Sequence, residues 1–94
     1  GFDGVELHGA HGYLICSFLS PELNRRDDAY GGDPEKRARF LFEIIDGVRA
    51  ATKPGFTLGV RLSPERWGLV LQEIRDVAQK LMHAGKIDFI DMSL

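Results

Sequence analysis

Three short runs alternate apolar with polar or charged residues, the period-two signature of strands. They are Gly4–His8 (GVELH), Thr57–Ser63 (TLGVRLS) and Phe89–Ser93 (FIDMS). Two stretches between them carry helical spacing instead. The first opens at Asp33-Pro34-Glu35: an N-cap residue, a proline at the first helical position and an acid in the first turn. Leu41, Ile44, Ile45 and Val48 then fall at i, i+3, i+4 and i+7, one buried stripe. Thr52-Lys53-Pro54-Gly55 ends it. The second stretch sets Val70, Leu71, Ile74, Val77, Ala78, Leu81 and Met82 on one face, and Gly85 stands where a left-handed terminator is expected. Strand, helix, strand, helix, strand predicts an α/β fold, a βαβαβ unit with a parallel sheet and right-handed crossovers.

The strands also repeat one another. Val5-Glu6-Leu7-His8, Val60-Arg61-Leu62-Ser63 and Ile90-Asp91-Met92-Ser93 align as apolar, charged, apolar, polar. Side chains alternate across a strand, so Val5/Leu7, Val60/Leu62 and Ile90/Met92 are expected to face the helices. Glu6/His8, Arg61/Ser63 and Asp91/Ser93 then share the opposite face. An open doubly wound sheet would want that face apolar, because helices cover it too. Charges in register over three neighbouring strands suit the inside of a (β/α)₈ barrel near its mouth. The longer connection, between the first two strands, holds an extra loop at about Ser17–Gly32, and loops that follow barrel strands build the active-site face.

Length sharpens this picture. The 94 residues make one domain at most, far short of the ~250 of a complete barrel. The chain starts at Gly1, directly before a strand-like run, and ends in another, as a segment taken from a longer protein would. A composition of 44% apolar and 28% charged residues excludes a disordered chain, a collagen and a coiled coil. A net charge of −2 gives no general attraction to nucleic acid. No apolar run is long enough to cross a bilayer. The one cysteine, Cys16, makes no internal disulfide and reads as buried filler, consistent with a reducing, cytoplasmic setting.

The candidate chemistry lies at the carboxyl end of the first strand, in His8-Gly9-Ala10-His11-Gly12-Tyr13. Two neutral imidazoles can each donate one N–H to a single oxygen, which suits a carbonyl or nitro oxygen gaining negative charge. Tyr13 could give a proton to a neighbouring carbon. The same residues also fit a satisfied histidine pair in a turn with a packed tyrosine. They fit a metal site too, although HxxH with only Glu6 nearby is a sparse ligand set. Arg61 is the one cation of the inward row, expected between Glu6 and Asp91. It reads as a closed ion triad that sets register, as an acid-braced arginine whose remaining donors meet an anionic ligand, or as both. From Asn24 to Arg39 five basic residues nearly balance four acidic ones, which fits a plain solvated loop, a salt-bridged lid or a subunit contact. Trp67, on the loop after the second strand, either lines the same mouth or simply packs.

Taken in order, these motifs resemble the old yellow enzyme family, the NADH:flavin oxidoreductases. GFDGVELHGAHGYL (Gly1–Leu14) is similar to the family's fourth strand and catalytic loop. FLSPELNRRDDAYGG (Phe18–Gly32) matches its FLSPxxNxRxDxYGG loop, and Glu35, Arg37, Arg39 and Phe40 match the ENRxRF pattern that follows, with Lys36 in place of the usual Asn. GVRLSPE (Gly59–Glu65) and IDFIDMSL (Ile87–Leu94) resemble strands five and six. Ile15-Cys16-Ser17 departs from the family's leucine–polar–glutamine run.

The resemblance implies an incomplete TIM-barrel domain over residues 1–94, about strands four to six, that binds FMN and uses NADH or NADPH as reductant. It implies that His8 and His11 bind the substrate oxygen, Tyr13 donates the proton, and Arg61 approaches the flavin near N1 and the C2 oxygen. No metal is implied. The expected reaction is reduction of activated alkenes, α,β-unsaturated carbonyl or nitro compounds, in the full-length parent; the 94 residues alone are expected to be inactive. The expected partners are a small-molecule substrate and the remainder of the barrel, with self-association as an option, and neither nucleic acid nor membrane. The alternatives are a non-catalytic βαβαβ interaction module and a metal-dependent barrel hydrolase using His8 and His11.

Overall fold

A computed structural model describes residues 3–94. The first two residues of the Gly1–Leu14 motif lie outside the described residues. Strand β1 spans Gly4–Gly9, helix α1 Leu14–Leu19, helix α2 Pro34–Ala51, strand β2 Thr57–Leu62, helix α3 Leu71–Ala84 and strand β3 Phe89–Met92. The strands form one parallel sheet in the order β1-β2-β3. The expected βαβαβ order therefore holds, with α1 added.

Local chemistry starts and stops the helices as the sequence suggests. Asp33 caps α2: its Oδ1 accepts the Lys36 N–H at 2.9 Å, and Pro34 takes the first turn. Leu41 and Ile45 of its stripe are buried, while Ile44 and Val48 pack at the margin. Ala38 and, less expectedly, Arg37 are buried with them. Gly85 ends α3 at φ 68°, its N–H reaching the Met82 carbonyl. On α3 only Ile74, Val77 and Leu81 are buried; Leu71 and Met82 are exposed. At about 100° per residue those two fall together on one flank, roughly a quarter turn from the stripe's centre. Val70, also expected inside, is the exposed N-cap residue.

The core forms where α2 and α3 cover one face of the sheet. Leu41, Ile45, Leu58, Val60, Leu62, Ile74 and Leu81 are each at most 1% exposed. Leu7 and Ile90 pack against this cluster, as their positions predict, whereas Val5 and Met92 stay exposed on the two outer strands. Facing is thus as expected, but the register of β1 is not. The repeat aligned Val5 with Val60. In the structure Leu7 lies beside Val60, which lies beside Ile90, and His8 lies beside Arg61, beside Asp91. The slip is two residues. An even slip keeps every side chain on its face, so alternation alone cannot detect it.

The connection from β1 to α2 is folded rather than loose. Helix α1 buries Ile15, Cys16 and Leu19. Burial pushes the Cys16 thiol up, against a smaller downward pull from the Gly12 backbone, so it stays protonated filler. Buried Asn24 braces the loop: its Nδ2 donates to the Phe18 and Tyr30 carbonyls, both at 2.7 Å, and its Oδ1 accepts the Arg26 N–H. The Phe18 ring stacks on Phe40 of α2, with centroids 4.4 Å apart. The expected salt bridge is present as Arg26–Asp28, whose hydrogen bond holds the Asp28 carboxyl below the usual range.

Candidate active site

Strand β1 delivers His8 at its carboxyl end, and the chain then turns sharply. His11 and Gly12 both sit in the left-handed region, at φ 61° and 75°. The turn puts the His8 and His11 rings 5.2 Å apart at 78° and sets Tyr13 5.2 Å from His8. Tyr13 is the N-cap residue of α1 without capping it through its side chain, and the residue is 64% exposed. The three residues expected to act on substrate therefore form one cluster.

Two serines from the neighbouring strands hold that turn. Continuing the His8–Arg61–Asp91 row two residues further reaches Ser63 and Ser93. The His11 backbone N–H donates to Ser63 Oγ at 3.0 Å, and His11 Nε2 lies 2.8 Å from Ser93 Oγ. Ser63 is fully buried, and the Ser93 N–H donates to the Leu62 carbonyl at 2.8 Å. His8 is oriented differently: the Ala10 N–H approaches its Nδ1 at 3.4 Å. A backbone N–H only donates, so in this contact Nδ1 is the acceptor and Nε2 is the nitrogen left to face a ligand. The sequence placed both serines on this face without a role, because their partner lies 52 and 82 positions away.

A second strained turn closes over the first. Arg66, Trp67 and Gly68 all have positive φ, at 75°, 51° and 77°. Trp67 is bulky, and such a residue in this region is an outlier that surrounding contacts must hold. Its ring centroid lies 5.5 Å from that of His11, and a β-carbon at Gly12 would come within 2.7 Å of Trp67 Cδ1. Glycine at position 12 thus serves both its own φ and this close approach. Both readings of Trp67 find support: its ring stands beside His11 and also packs against the core.

Arg61 lies deeper on the same face. Its Nε is 3.1 Å from Glu6 Oε1 and 3.2 Å from Asp91 Oδ2, the expected pair of acids. Glu6 reaches it diagonally because of the two-residue slip. Nη1 and Nη2 make no hydrogen bond among the described residues. An arginine held through Nε with its forked end free can accept an anionic or carbonyl-bearing ligand, so a flavin edge fits the donor present.

Among the described residues no three His, Cys, Asp or Glu side chains come together as a metal would require. None of the helices described is long and apolar enough to cross a membrane. A groove of about 1090 Å³ between α2 and α3, lined in part by Ala38, Phe42 and Val77, shares no residue with the histidine cluster.

Comparison with known proteins gives a consistent picture. The family model for the NADH:flavin oxidoreductase / NADH oxidase family matches residues 1–93. An NADH-dependent flavin oxidoreductase of Talaromyces variabilis is 46% identical over 96 aligned positions, covering 99% of this chain and 23% of the relative. An NADPH dehydrogenase of Geobacillus sp. (strain WCH70) is 49% identical over 96 positions, covering 99% of this chain and 27% of the relative. The crystal structure of Old Yellow Enzyme from Pichia sp. AKU4542 superposes with a TM-score of 0.87 at 35% identity, over 98% of this chain and 27% of that one. The chain thus spans about a quarter of the length of these relatives.

Proposed function

This chain belongs to the NADH:flavin oxidoreductase / NADH oxidase family, and from that premise we propose that it is the catalytic corner of an FMN-dependent ene-reductase barrel, about strands four to six. The observation that carries the reading is the row at the carboxyl ends of three parallel strands. There His8, His11 and Tyr13 cluster above an arginine held through Nε alone.

The flavin, when bound, supplies hydride transfer from NADH or NADPH to an activated alkene. The residues of this chain do the rest. His8 and His11 donate N–H bonds to the carbonyl or nitro oxygen of the substrate, drawing electron density toward it and making the β-carbon electrophilic. Tyr13, with its exposed phenol, delivers a proton to the α-carbon. Arg61 presents Nη1 and Nη2 to the oxygen-bearing edge of the isoalloxazine, while Glu6 and Asp91 fix its orientation. Trp67 narrows the mouth over His11. The remaining strands, and with them the phosphate-binding end of the cofactor site, belong to the larger domain.

The test is made on the full-length protein that carries this sequence. It should purify yellow, release FMN on denaturation, and oxidise NADH or NADPH with cyclohexenone as acceptor. A preparation with neither flavin nor turnover overturns the reading. A soluble, cooperatively melting monomer or homo-oligomer formed by the 94 residues alone would support the interaction-module alternative instead.

A further inference from the structure

We propose that Ser93 is a positioning residue: its hydroxyl donates to His11 Nε2 and so fixes the imidazole proton on Nδ1. The contact is the 2.8 Å approach of Ser93 Oγ to His11 Nε2. It joins the last strand to the loop after the first, and it is the one hydrogen bond the His11 ring makes among the described residues. Everything around that ring limits its freedom to turn. Ser63 Oγ holds the His11 backbone N–H, the Trp67 ring lies 5.5 Å off at 60°, and the His8 ring lies 5.2 Å off at 78°. Ser93 is itself tied to β2 through its N–H bond to the Leu62 carbonyl.

A neutral imidazole carries one N–H, and the nitrogen facing a hydroxyl either gives or receives. If Nε2 gave its proton to Ser93, Nδ1 would be a bare acceptor. It would then repel the lone pairs of the substrate oxygen it is meant to bind. If Ser93 gives, Nδ1 carries the proton and becomes the donor. The reading of His11 as an oxygen-binding residue therefore selects the second arrangement, and the proposal rests on it. The two histidines then present unlike nitrogens. His8 donates from Nε2, because the Ala10 N–H occupies its Nδ1, and His11 donates from Nδ1, because Ser93 occupies its Nε2. One hydroxyl and one backbone N–H thus preset a pair of chemically identical rings as two unlike donors before substrate arrives.

The experiment uses full-length, flavin-bound protein labelled with ¹⁵N-histidine, without substrate, and reads the two-bond ¹H–¹⁵N pattern of His11, assigned by its loss in His11→Gln. The expected pattern has a pyridine-like Nε2 and a pyrrole-like Nδ1. Ser93→Thr, which keeps the hydroxyl, should preserve it. Ser93→Ala should shift the pattern toward a tautomer mixture and weaken phenol binding roughly 10- to 100-fold, the scale on which partners of functional histidines act. A protonated Nε2 in the wild-type protein overturns the proposal, whatever becomes of the variants. So does an unaltered pattern in Ser93→Ala. Failure of alkene turnover with the expected tautomer pattern counts against the proposed reaction and leaves the Ser93 assignment standing.

Discussion

The two ends of the sheet are built from different materials. At the amino end charges tie the elements together. Arg49 of α2 donates to the Lys86 and Phe56 carbonyls and pairs with Asp88 at 2.9 Å. Asp88 also accepts the Leu58 N–H at 2.7 Å, and Lys86 pairs with Asp46. The Phe89 ring lies over Gly59, where any β-carbon would collide with it. At the carboxyl end there are hydroxyl bonds, edge-on rings and five consecutive or near-consecutive left-handed residues in two turns. The first end joins helix, strand and loop with full complementarity. The second leaves donors and a phenol without partners, at the cost of backbone strain. Latching bonds and unpartnered groups are thereby separated along the strands, the division that the proposed barrel reading expects.

That division can be tested from its strongest consequence downward. Tyr13→Phe in the full-length protein should slow alkene turnover about 100-fold or more. It should spare flavin reduction and leave the melting temperature within about a degree. Stopped-flow measurement of the two half-reactions checks this, and equal losses in both would break the assignment. Arg49→Met should do the opposite, costing about 2 kcal/mol of stability through bonds lost to charged and carbonyl partners, with phenol affinity unmoved. Denaturant unfolding and a ligand titration read both quantities. His8→Ala should weaken phenol binding about tenfold without moving the unfolding midpoint, since its ring is exposed and only loosely bonded.

The smallest expected effect concerns acid. The Leu58 N–H first, and the Arg49 guanidinium second, hold the Asp88 carboxyl below its ordinary value. A carboxyl depressed on folding contributes stability above its unfolded value, near pH ~4, and loses it as falling pH protonates the folded form. Asp88→Asn should therefore flatten part of the loss of melting temperature below about pH 4. An acid limb of unchanged slope would show that this latch does not matter.

The sequence made the amino-to-carboxyl layout legible where the signal was local. Alternation set the strand faces, Asp33-Pro34 started α2, and Gly85 ended α3. It placed Arg61 between Glu6 and Asp91, and the structure keeps both pairs. What escaped was non-local or too short. The two-residue slip of β1 leaves no trace in a period of two. Helix α1 has six residues and no side-chain cap, less than the two turns over which periodicity can be read. Arg37 looked like a surface charge, yet it is 6% exposed, with Nη2 bonded to Glu73 at 2.7 Å and Nε unpartnered. Nothing local to α2 announces that partner 36 positions on. Ser63 and Ser93 were visible as polar residues on the right face, but their bonds to His11 exist only once three strands are side by side.

The bond between His11 and Ser93 spans 82 positions of chain. At about 5–20 residues per second of synthesis, His11 would leave the ribosome roughly 4 to 16 seconds before the hydroxyl it meets in the folded sheet. For that interval the His11 ring exists without this partner, while the local Ala10–His8 contact needs nothing further along the chain. The first strand's turn is thus completed only after β3 has been made, by a contact that sequence order delays.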